Sequence, residues 1–509
     1  MNAAYLITRS ACYFPERVAF VFDGRPISFR DLNRRINKLV NGLTSLGLKK
    51  GDRVGLLFHN SLPFLESYLA LYKAGLLWVR LNARLSISEM KIMLEDSEAA
   101  ALIGGPEFEE VIKNISSGLR NIIQVGKGPG LEYGTFLQKG SEEEPNSFVN
   151  INDLSDIWYT SGTSGTPKGI MLTHRNILTC TQLLLCDTYE ITVNDKLLTV
   201  APLSHAGSVR ILPFVVRGAT NYLHNHFDPL AIFKEIENSR ITDISLTPTT
   251  IIALMNHPRR ANFDLSSLKR ITYGGSPMPV ERIKEAVNVF GPILDQSYGQ
   301  AESIITITHL PRNEHCINGD PVKEKRLASA GREYSGVQVR IINEDEKFLS
   351  AGEIGEIVTK SDLVMEGYWK KPPETKEALK GGWLHTGDIG YLDNEGYLFL
   401  VDRKNDKIIT GGLNVFPREV EEILACHPGI LEVSVFGVKD PYWVETIEAA
   451  VVLRPNMNVT AEDIIQFCEG RLAGYKKPKK IHFMNELPKN LYNKVLRKDL
   501  KAHFEKLKQ

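Results

Sequence analysis

The alternation of short β-rich runs with helical patterns between Gly51 and Glu302 most constrains what this chain can fold into. The run RVGLLF precedes the helix-period stretch LPFLESYLALYKAG, and the run LLWVRLN precedes SISEMKIMLEDS. Strands that alternate with helices are typical of βαβ units, whose strands form a mainly parallel sheet flanked by helices. The sequence therefore predicts an α/β fold with a large N-terminal domain of mainly parallel sheets.

Five later runs are each followed by a loop rich in hydroxyl, glycine or titratable residues. The runs are DIWYT, KLLTVA, DISLT, LKRITY and ILDQSY, and their loops are SGTSGTPKG, PLSHAG, PTT, GGSP and GQAE. In open parallel sheets, ligands bind beyond the carboxyl ends of the strands. If these strands are parallel neighbours, we expect the five loops to converge on one site.

Beyond residue 330 the pattern changes to β-hairpins, and a second domain is predicted after them. A charged stretch, DRKND, follows the hairpin GYLDNEGYLFLVDR, and PREVEEILACHPG then predicts a helix with Pro417 in its first turn. Strand-like VSVFGV and EAAVVL and the helical AEDIIQFCEGRL complete a small α+β pattern. We predict a large domain over residues 1–402 and a small mobile one over 403–509, with a hinge near 402–406.

Composition narrows the function classes. The 509 residues include 61 basic and 61 acidic side chains, and this balance argues against nucleic-acid binding driven by bulk charge. The six Cys include no C-x-x-C pair, so neither a zinc site nor a disulfide framework is predicted. No apolar run reaches the ~18–20 residues that span a bilayer, and the N-terminus lacks a signal-peptide pattern. We expect a cytoplasmic protein without a transmembrane segment.

The stretch YTSGTSGTPKG, from Tyr159 to Gly169, could be a flexible linker or a loop that binds phosphate. Glycines permit close backbone approach, hydroxyls and N–H groups bind phosphate oxygens, and Lys168 supplies charge. The stretch does not fit the P-loop pattern G-x-x-x-x-G-K-[ST]. Its position between DIWYT and the helical HRNILTCTQLLL favours phosphate binding, since a linker would more naturally separate domains.

Several motifs in a fixed order resemble those of the AMP-forming adenylating superfamily, which includes acyl-CoA synthetases, peptide-synthetase adenylation domains and luciferases. YTSGTSGTPKG resembles its phosphate-binding signature, and APLSHAG, YGGSP, DQSYGQAE and GWLHTGD resemble its next four motifs. DRKNDKIITGGLNVFPREVE resembles the interdomain hinge, and LPKNLYNKVLRKDL resembles the segment that carries a catalytic Lys. The resemblance covers most of the chain and is nearest to a stand-alone acyl-CoA ligase.

This resemblance implies a reaction in two halves. A carboxylate attacks the α-phosphorus of ATP, giving acyl-AMP and pyrophosphate, and a thiol, usually that of coenzyme A, then displaces AMP. The protein must neutralise phosphate charge, align the attacking oxygen and exclude water. The implied cofactors are ATP, Mg²⁺ and coenzyme A, and the implied substrate is a small-molecule carboxylic acid, either a medium- or long-chain fatty acid or an aromatic acid.

The resemblance also assigns residues to roles. Glu302 would hold Mg²⁺, Tyr298 would stack on adenine, and Asp388 would accept hydrogen bonds from the ribose with help from Arg403. Lys494 would reach the acyl carboxylate and the α-phosphate as a catalytic residue. The full predicted ATP/AMP-binding set is Thr160, Ser161, Gly162, Thr163, Ser164, Gly165, Lys168, Gly274, Gly275, Ser276, Gln296, Ser297, Tyr298, Gly299, Asp388 and Arg403.

The acyl pocket is predicted around His205, Ala206, Gly207 and Arg210. We expect His205 to act as a wall or gate of the pocket more than as a base, because the first half-reaction needs no base; a packed structural histidine is the alternative. For Arg210 the commoner arrangement is exposure to solvent or to a partner chain. The alternative hypothesis is that Arg210 meets a polar or carboxylated tail of the acid.

Coenzyme A is predicted to contact Gly411, Gly412 and Lys476, the last within the basic cluster YKKPKK. Three positions depart from the family pattern: Ala301 replaces a Thr that bonds the AMP phosphate, Asn405 stands at the hinge, and Asn493 precedes Lys494 in place of Gly. A neutral hydrogen bond contributes ~1 kcal/mol, so Ala301 predicts weaker adenylate binding without loss of activity.

Two alternatives stay open on sequence grounds. One is an enzyme that passes the acyl group from AMP to a carrier protein or an amine, and the other is a weakened homologue that binds nucleotide without efficient turnover. The sequence does not choose among medium-chain, long-chain and aromatic acids. A homodimer and, for a long-chain acid, peripheral contact with a membrane are also left open.

Overall fold

A computed structural model describes residues 2–160, 167–316, 319–403, 406–440, 442–489 and 495–506. The predicted site residues 161–165 and Lys494, and the departures Asn405 and Asn493, lie outside this described part. Its α-helices are α1 (Tyr5–Tyr13), α2 (Phe29–Ser45), α3 (Leu62–Ala74), α4 (Ile87–Asp96), α5 (Glu109–Ile115), α6 (Tyr133–Lys139), α7 (His174–Leu183), α8 (Ser208–Val216), α9 (Pro229–Ser239), α10 (Pro248–Met255), α11 (Val280–Phe290), α12 (Pro321–Arg326), α13 (Pro372–Ala378), α14 (Pro417–Ala425), α15 (Ala461–Phe467) and α16 (Arg497–Lys506).

The strands follow the same chain order. The first half of them are β1 (Val18–Phe22), β2 (Arg25–Ser28), β3 (Arg53–Leu57), β4 (Leu77–Arg80), β5 (Ala101–Gly104), β6 (Asn121–Gln124), β7 (Leu131–Glu132), β8 (Leu154–Thr160), β9 (Lys168–Thr173), β10 (Lys196–Thr199), β11 (Thr220–Leu223), β12 (Asp243–Leu246) and β13 (Arg270–Gly274). The others are β14 (Leu294–Tyr298), β15 (Thr308–Leu310), β16 (Arg332–Glu333), β17 (Gln338–Ile342), β18 (Gly355–Lys360), β19 (Gly367–Tyr368), β20 (Leu384–Leu392), β21 (Leu398–Arg403), β22 (Ile408–Thr410), β23 (Leu413–Val415), β24 (Ile430–Asp440), β25 (Val444–Leu453) and β26 (Lys480–Phe483).

Two large sheets of mainly parallel strands form the N-terminal part. One has nine strands in the order β16-β15-β14-β13-β12-β10-β11-β1-β2, and the other has eight in the order β19-β9-β8-β4-β3-β5-β6-β7. Antiparallel pairs occur towards the ends of both sheets, as in β14 with β15 and β8 with β9. Helices flank the sheets, and the predicted α/β fold with mainly parallel sheets is confirmed.

Helix starts follow local side-chain chemistry. The Ser86 hydroxyl accepts a hydrogen bond from the backbone N–H of Glu89, and the Glu89 carboxylate accepts one from the N–H of Ser86, which starts α4. Ser61 accepts from the N–H of Phe64 at the start of α3. These caps explain why the sequence pattern locates both helices well.

The five loops predicted to meet at one site divide between the two sheets. Strands β10, β12, β13 and β14 are parallel neighbours, so four of the loops leave one sheet edge together. The fifth strand, β8, lies in the other sheet, so the condition that all five strands are parallel neighbours is met by four of them. The glycine-rich stretch joins β8 to antiparallel β9, with Thr160 opposite Lys168, and does not lead directly into α7.

Two smaller sheets follow. Strands β17-β18-β20-β21 form an antiparallel sheet that ends at Arg403, and β22 to β26 form a five-stranded sheet with its own buried core. The predicted hinge at 402–406 falls between these sheets and stays a prediction. None of the described helices is long and apolar enough to cross a membrane.

Candidate active site

A cavity of about 300 Å³ lies between the edge of the nine-stranded sheet and the C-terminal part of the chain. Strands β13 and β14 pair in parallel, with Gly274 opposite Ser297, and their carboxyl ends open into this cavity. The structure brings part of the predicted nucleotide set together on its wall: Gly274, Gly275, Ser276, Gln296, Ser297, Tyr298, Gly299, Asp388 and Arg403.

A carboxylate at the cavity wall is shared by two donors. The Tyr298 hydroxyl donates a hydrogen bond to Asp388 Oδ2 at 2.7 Å, and Arg403 Nε lies 3.1 Å from Asp388 Oδ1. Antiparallel pairing of β20 with β21 places Asp388 directly opposite Arg403. The Asp388 carboxylate raises the pKa of Arg403, and burial raises the pKa of Tyr298 well above its ordinary value. Tyr298 therefore stays a hydrogen-bond donor and Arg403 stays cationic at neutral pH.

A second group links the predicted metal ligand to the glycine-rich hairpin. The Tyr368 hydroxyl donates to Glu302 Oε1 at 3.0 Å, and Lys168 Nζ lies 5.0 Å from the centre of the Tyr368 ring. Burial raises the pKa of Glu302 above its ordinary value. A nearby divalent cation would favour the ionised carboxylate, and one carboxylate completed by phosphate oxygens and water is a donor set that Mg²⁺ uses. Glu302 therefore fits a magnesium ligand.

The backbone around Glu302 is tightly folded. A Cβ on Gly299 would lie 2.4 Å from the carbonyl carbon of Ile305, so glycine is required where the chain turns back. Ile304 and Ile305 have φ values of 45° and 52°, a conformation that β-branched residues rarely adopt. Such strain persists where surrounding structure fixes the backbone, and it is common at functional sites.

The segment that holds His205 bridges the two large sheets. The His205 ring packs edge-on against Trp158, 4.9 Å between ring centres. Arg80 lies between Trp78 and Trp158, and its Nη1 is 3.1 Å from Ser208 Oγ and 3.5 Å from the carbonyl oxygen of His205. Burial and the charge of Arg80 lower the pKa of His205 to about 3. A neutral, weakly basic imidazole suits the wall of a pocket better than a general base.

The predicted acyl-pocket residues do not line the 300 Å³ cavity, and Arg210 differs from the commoner expectation. Gly207 is buried, whereas Ala206 is half-buried beside His205. Arg210 is 5% exposed, so the expectation that it faces solvent is wrong. Arg210 lies on α8, whose residues from Ser208 to Val215 are all buried, so its guanidinium is enclosed by the protein. Arg217, just after α8, is exposed.

The predicted coenzyme A residues lie apart from the cavity. Gly411 and Gly412 form the exposed turn between β22 and β23, and neither lines the cavity. Lys476 forms an ion pair with Glu419. The structure thus brings nine of the sixteen predicted nucleotide residues together at the cavity, whereas Thr160, Lys168 and the predicted coenzyme A residues do not line it.

Sequence reasoning missed Tyr368 and Arg80. Tyr368 follows no polar loop and reaches Glu302 only because β19 pairs with β9, more than 190 positions earlier in the chain. Arg80 ends an apolar run that predicts a strand. The sequence signal that could have identified it is an acidic partner, Asp156, at the start of DIWYT. In the structure Asp156 Oδ1 lies 2.7 Å from Arg80 Nε.

Comparison with known proteins gives two family-model matches. Residues 7–369 match the model of the AMP-binding enzyme, and residues 419–494 match that of the AMP-binding enzyme C-terminal domain. Among curated proteins, the chain is 35% identical to a feruloyl-CoA synthase of Amycolatopsis sp over 498 residues, covering 97% of this chain and 98% of the relative. It is 34% identical to a medium/long-chain-fatty-acid–CoA ligase of Mycobacterium tuberculosis, covering 96% of this chain and 87% of the relative.

A solved structure shows the same architecture. The anthranilate CoA ligase AuaEII in complex with anthranoyl-AMP superposes with a TM-score of 0.91 at 26% identity, covering 100% of this chain and 98% of that chain. The relatives and this structure agree with the motifs and with the fold described above. This chain therefore belongs to the family of AMP-binding enzymes, as its motifs predict.

Proposed function

We propose that this chain is an ATP-dependent carboxylic acid–CoA ligase that works through an acyl-AMP intermediate. The observation that carries the proposal is the cluster of Tyr298, Asp388 and Arg403 on one cavity wall, beside the glycine turn at Gly274 and Gly275. An aromatic ring, a carboxylate and a closely approachable backbone match the needs of an adenosine. The curated relatives, which are CoA ligases, support the same reaction.

In the first half-reaction, the cavity wall holds the nucleoside and the hairpin holds the phosphates. Tyr298 stacks on adenine, and Asp388 accepts from the ribose hydroxyls, oriented by Arg403. Lys168 and the loop 160–165 bind the β- and γ-phosphates. Glu302 would hold Mg²⁺ through its carboxylate, and the cation would supply charge that neutralises the phosphates. Lys494 approaches the acyl carboxylate and the α-phosphate, a role that rests on the motif resemblance alone.

The second half-reaction requires a different arrangement. Gly411, Gly412 and Lys476 do not line the cavity, so coenzyme A contacts at these residues call for movement of residues 403–509 about the hinge at 402–406. Arg497 would lose its pair with Asp402 in that movement, because Asp402 lies outside residues 403–509. In the present arrangement its guanidinium pairs with Asp402, Asp406 and Glu421.

The acid is proposed to be aromatic or of medium to long chain. The feruloyl and fatty-acid activities of the curated relatives and the anthranoyl-AMP of the solved structure support this range. We further propose a cytoplasmic location.

Pyrophosphate release with a panel of carboxylic acids, measured with and without coenzyme A, tests the proposal. We expect acid-dependent pyrophosphate release, and equivalent acyl-CoA formation when coenzyme A is present. Release of pyrophosphate without any thioester would favour transfer of the acyl group to an amine or a carrier protein. No release with any acid would favour a homologue that binds nucleotide without turnover.

A further inference from the structure

Arg210 is a buried cation with unpaired donor atoms in the part of the chain that the structure describes. Its Nε and Nη1 atoms are inaccessible to solvent and have no hydrogen-bond partner among the described residues. No carboxylate of the described chain lies within ion-pair distance of its guanidinium. Arg217, seven positions later, shows the ordinary alternative, since it is exposed at the end of the same helix.

The groups around Arg210 are already engaged with one another. Its electrostatic neighbours are Tyr189, Tyr334, Cys180 and Asp295. The Asp295 carboxylate lies 2.8 Å from His309 Nε2. The carboxylate among these neighbours is thus engaged by His309 and forms no ion pair with Arg210.

The two tyrosine hydroxyls are also occupied. Tyr189 Oη lies 3.4 Å from Thr272 Oγ1, and the Tyr334 hydroxyl donates to Ser297 Oγ at 3.3 Å. Neither hydroxyl bonds the guanidinium. These neighbours thus bond to other residues and supply no acceptor to the Nε and Nη1 atoms of Arg210.

A buried guanidinium without a hydrogen-bond or ion-pair partner destabilises the folded protein. Buried charges are normally paired, and replacing an unpaired buried cation by an apolar side chain would stabilise the fold. Buried polar groups without partners are few in native proteins, and each one indicates a role or a missing partner. A group that binds only during the enzyme's work would supply such a partner.

Arg210 lines neither cavity, but its neighbours line both. Its neighbour Tyr334 donates to Ser297, and Ser297 lines the large cavity together with Gly274. Along the chain, Arg210 follows Gly207 by three residues, so it lies one helical turn beyond the His205 segment. Cys180, another neighbour, lines a small second cavity together with Arg80 and Ser208.

We infer that Arg210 is a specificity-determining residue that binds an oxygen acceptor at the end of the acid distant from its reacting carboxylate. This inference rests on the proposed acid–CoA ligase function and narrows its substrate class. A second carboxylate would form a bidentate, charge-assisted pair with the guanidinium, and a hydroxyl or carbonyl oxygen would accept from one N–H. Plain hydrocarbon tails would leave the cation unpaired, so unsubstituted fatty acids are poor substrates.

Matched acids test the inference through the specificity constant for pyrophosphate release. Octanoate is compared with 7-oxooctanoate and suberate, and cinnamate with 4-hydroxycinnamate and 4-carboxycinnamate. In the natural enzyme we expect at least one oxygen-bearing member of a series to exceed its hydrocarbon parent by tenfold or more. The acid with the highest specificity constant in each series shows whether the oxygen bound by Arg210 is neutral or anionic.

Variants test whether the preference for oxygen-bearing acids depends on the guanidinium of Arg210. Arg210→Leu should reduce the ratio of oxygen-bearing to hydrocarbon acid to about one, and Arg210→Lys should retain part of it, because a Lys keeps the charge but loses the planar pair of donors. The exposed Arg217→Leu is the matched control and should keep the natural ratio. An unchanged ratio in Arg210→Leu, or no preference in the natural enzyme, overturns the inference.

A thermal readout separates this inference from the proposed function. Without ligand, Arg210→Leu should melt no lower than the natural protein, since it removes an unpartnered buried charge; a fall in Tm would instead show a purely structural role. If no acid releases pyrophosphate, the ligase proposal fails. The inference would then be judged by whether suberate or 4-carboxycinnamate alone raises the Tm of the natural protein but not that of Arg210→Leu. Absence of that shift as well would overturn it.

Discussion

At the scale of single residues, Asp388 organises the nucleotide wall. Its two carboxylate oxygens are contacted by Tyr298 and Arg403, which come from different parts of the chain. The contacts fix both the carboxylate and the aromatic ring that it faces. Pre-positioned groups of this kind reduce the entropy lost when a ligand binds.

Tyr298→Phe tests this arrangement. The variant keeps the ring but removes the hydrogen bond to a charged acceptor, and such bonds contribute about 1.5–3 kcal/mol. We expect the KM for ATP to rise about tenfold or more, since 1.4 kcal/mol corresponds to a factor of ten. Steady-state kinetics at saturating acid measures it. Tyr391→Phe, which alters a half-exposed ring stacked on Phe399, is the control; equal KM values in the two variants would contradict the role of Asp388.

The site residues that stand in motifs were predictable from the sequence, whereas the side chains that contact them were not. Tyr298, Asp388 and Glu302 could be named because each stands in a motif with a fixed neighbour pattern. Tyr368 could not be named, because its contact with Glu302 depends on strand pairing between distant segments. The inward direction of Arg210 depends on how α8 packs, and the apolar sequence on both sides of it leaves that direction undetermined.

At the scale of elements, a buried ion pair joins β4 to β8 and supports the His205 segment. Arg80 Nε lies 2.7 Å from Asp156 Oδ1, and both side chains are almost fully buried. Parallel pairing sets Arg80 opposite Trp158, which in turn contacts the His205 ring. The pair therefore fixes together the strand that leads into the glycine-rich hairpin, which we propose binds phosphate, and the His205 segment, which we propose as a wall of the acyl site.

Arg80→Met should strongly destabilise the fold. It leaves Asp156 buried without its cation, and breaking one side of a buried pair costs about 3–5 kcal/mol. Urea unfolding measures the loss. Adding Asp156→Asn should restore part of it, because the uncompensated charge disappears. Arg312→Met, which removes a 3.6 Å pair with the exposed Glu190, should stay near the natural stability; a loss in Arg80→Met no larger than in this control would contradict the account.

Strand periodicity predicted most elements of the N-terminal part but not their division into sheets. DIWYT and KLLTVA look alike locally, yet β8 and β10 belong to different sheets. Which strand pairs with which is decided by contacts between distant segments, and a local pattern does not record them. The hairpin of β8 and β9 was missed for the same reason, although both its strands are rich in β-forming residues.

At the scale of the whole molecule, buried histidines predict a loss of stability in acid. Burial lowers the pKa of His174 to about 4 and that of His315 to about 4, below the ordinary value of 6.5. The unfolded chain therefore binds more protons than the folded one as pH falls from about 6.5 towards 4. Burial raises the pKa of Asp243 to about 6, which acts in the opposite direction and offsets part of the loss.

Replacing one histidine isolates its contribution to the pH dependence of the unfolding free energy. Each neutral buried histidine should lose about 1 kcal/mol of stabilisation at pH 5.5 relative to pH 7. We expect the unfolding free energy of His174→Gln to fall less over this interval than that of the natural protein. His503→Gln, at an exposed position, is the control and should keep the natural slope. Identical slopes for all three proteins would show that folding does not lower the pKa of His174.

The reaction itself is the central claim for the whole molecule, and isotope transfer tests it most directly. An acid with both carboxylate oxygens labelled with ¹⁸O is turned over with ATP and coenzyme A, and the products are examined by mass spectrometry. If the carboxylate attacks the α-phosphorus and the thiol then breaks the bond between the acyl carbon and oxygen, one labelled oxygen must appear in AMP and one in the acyl-CoA. Unlabelled AMP, or label recovered in inorganic phosphate beside ADP, would contradict an acyl-AMP intermediate.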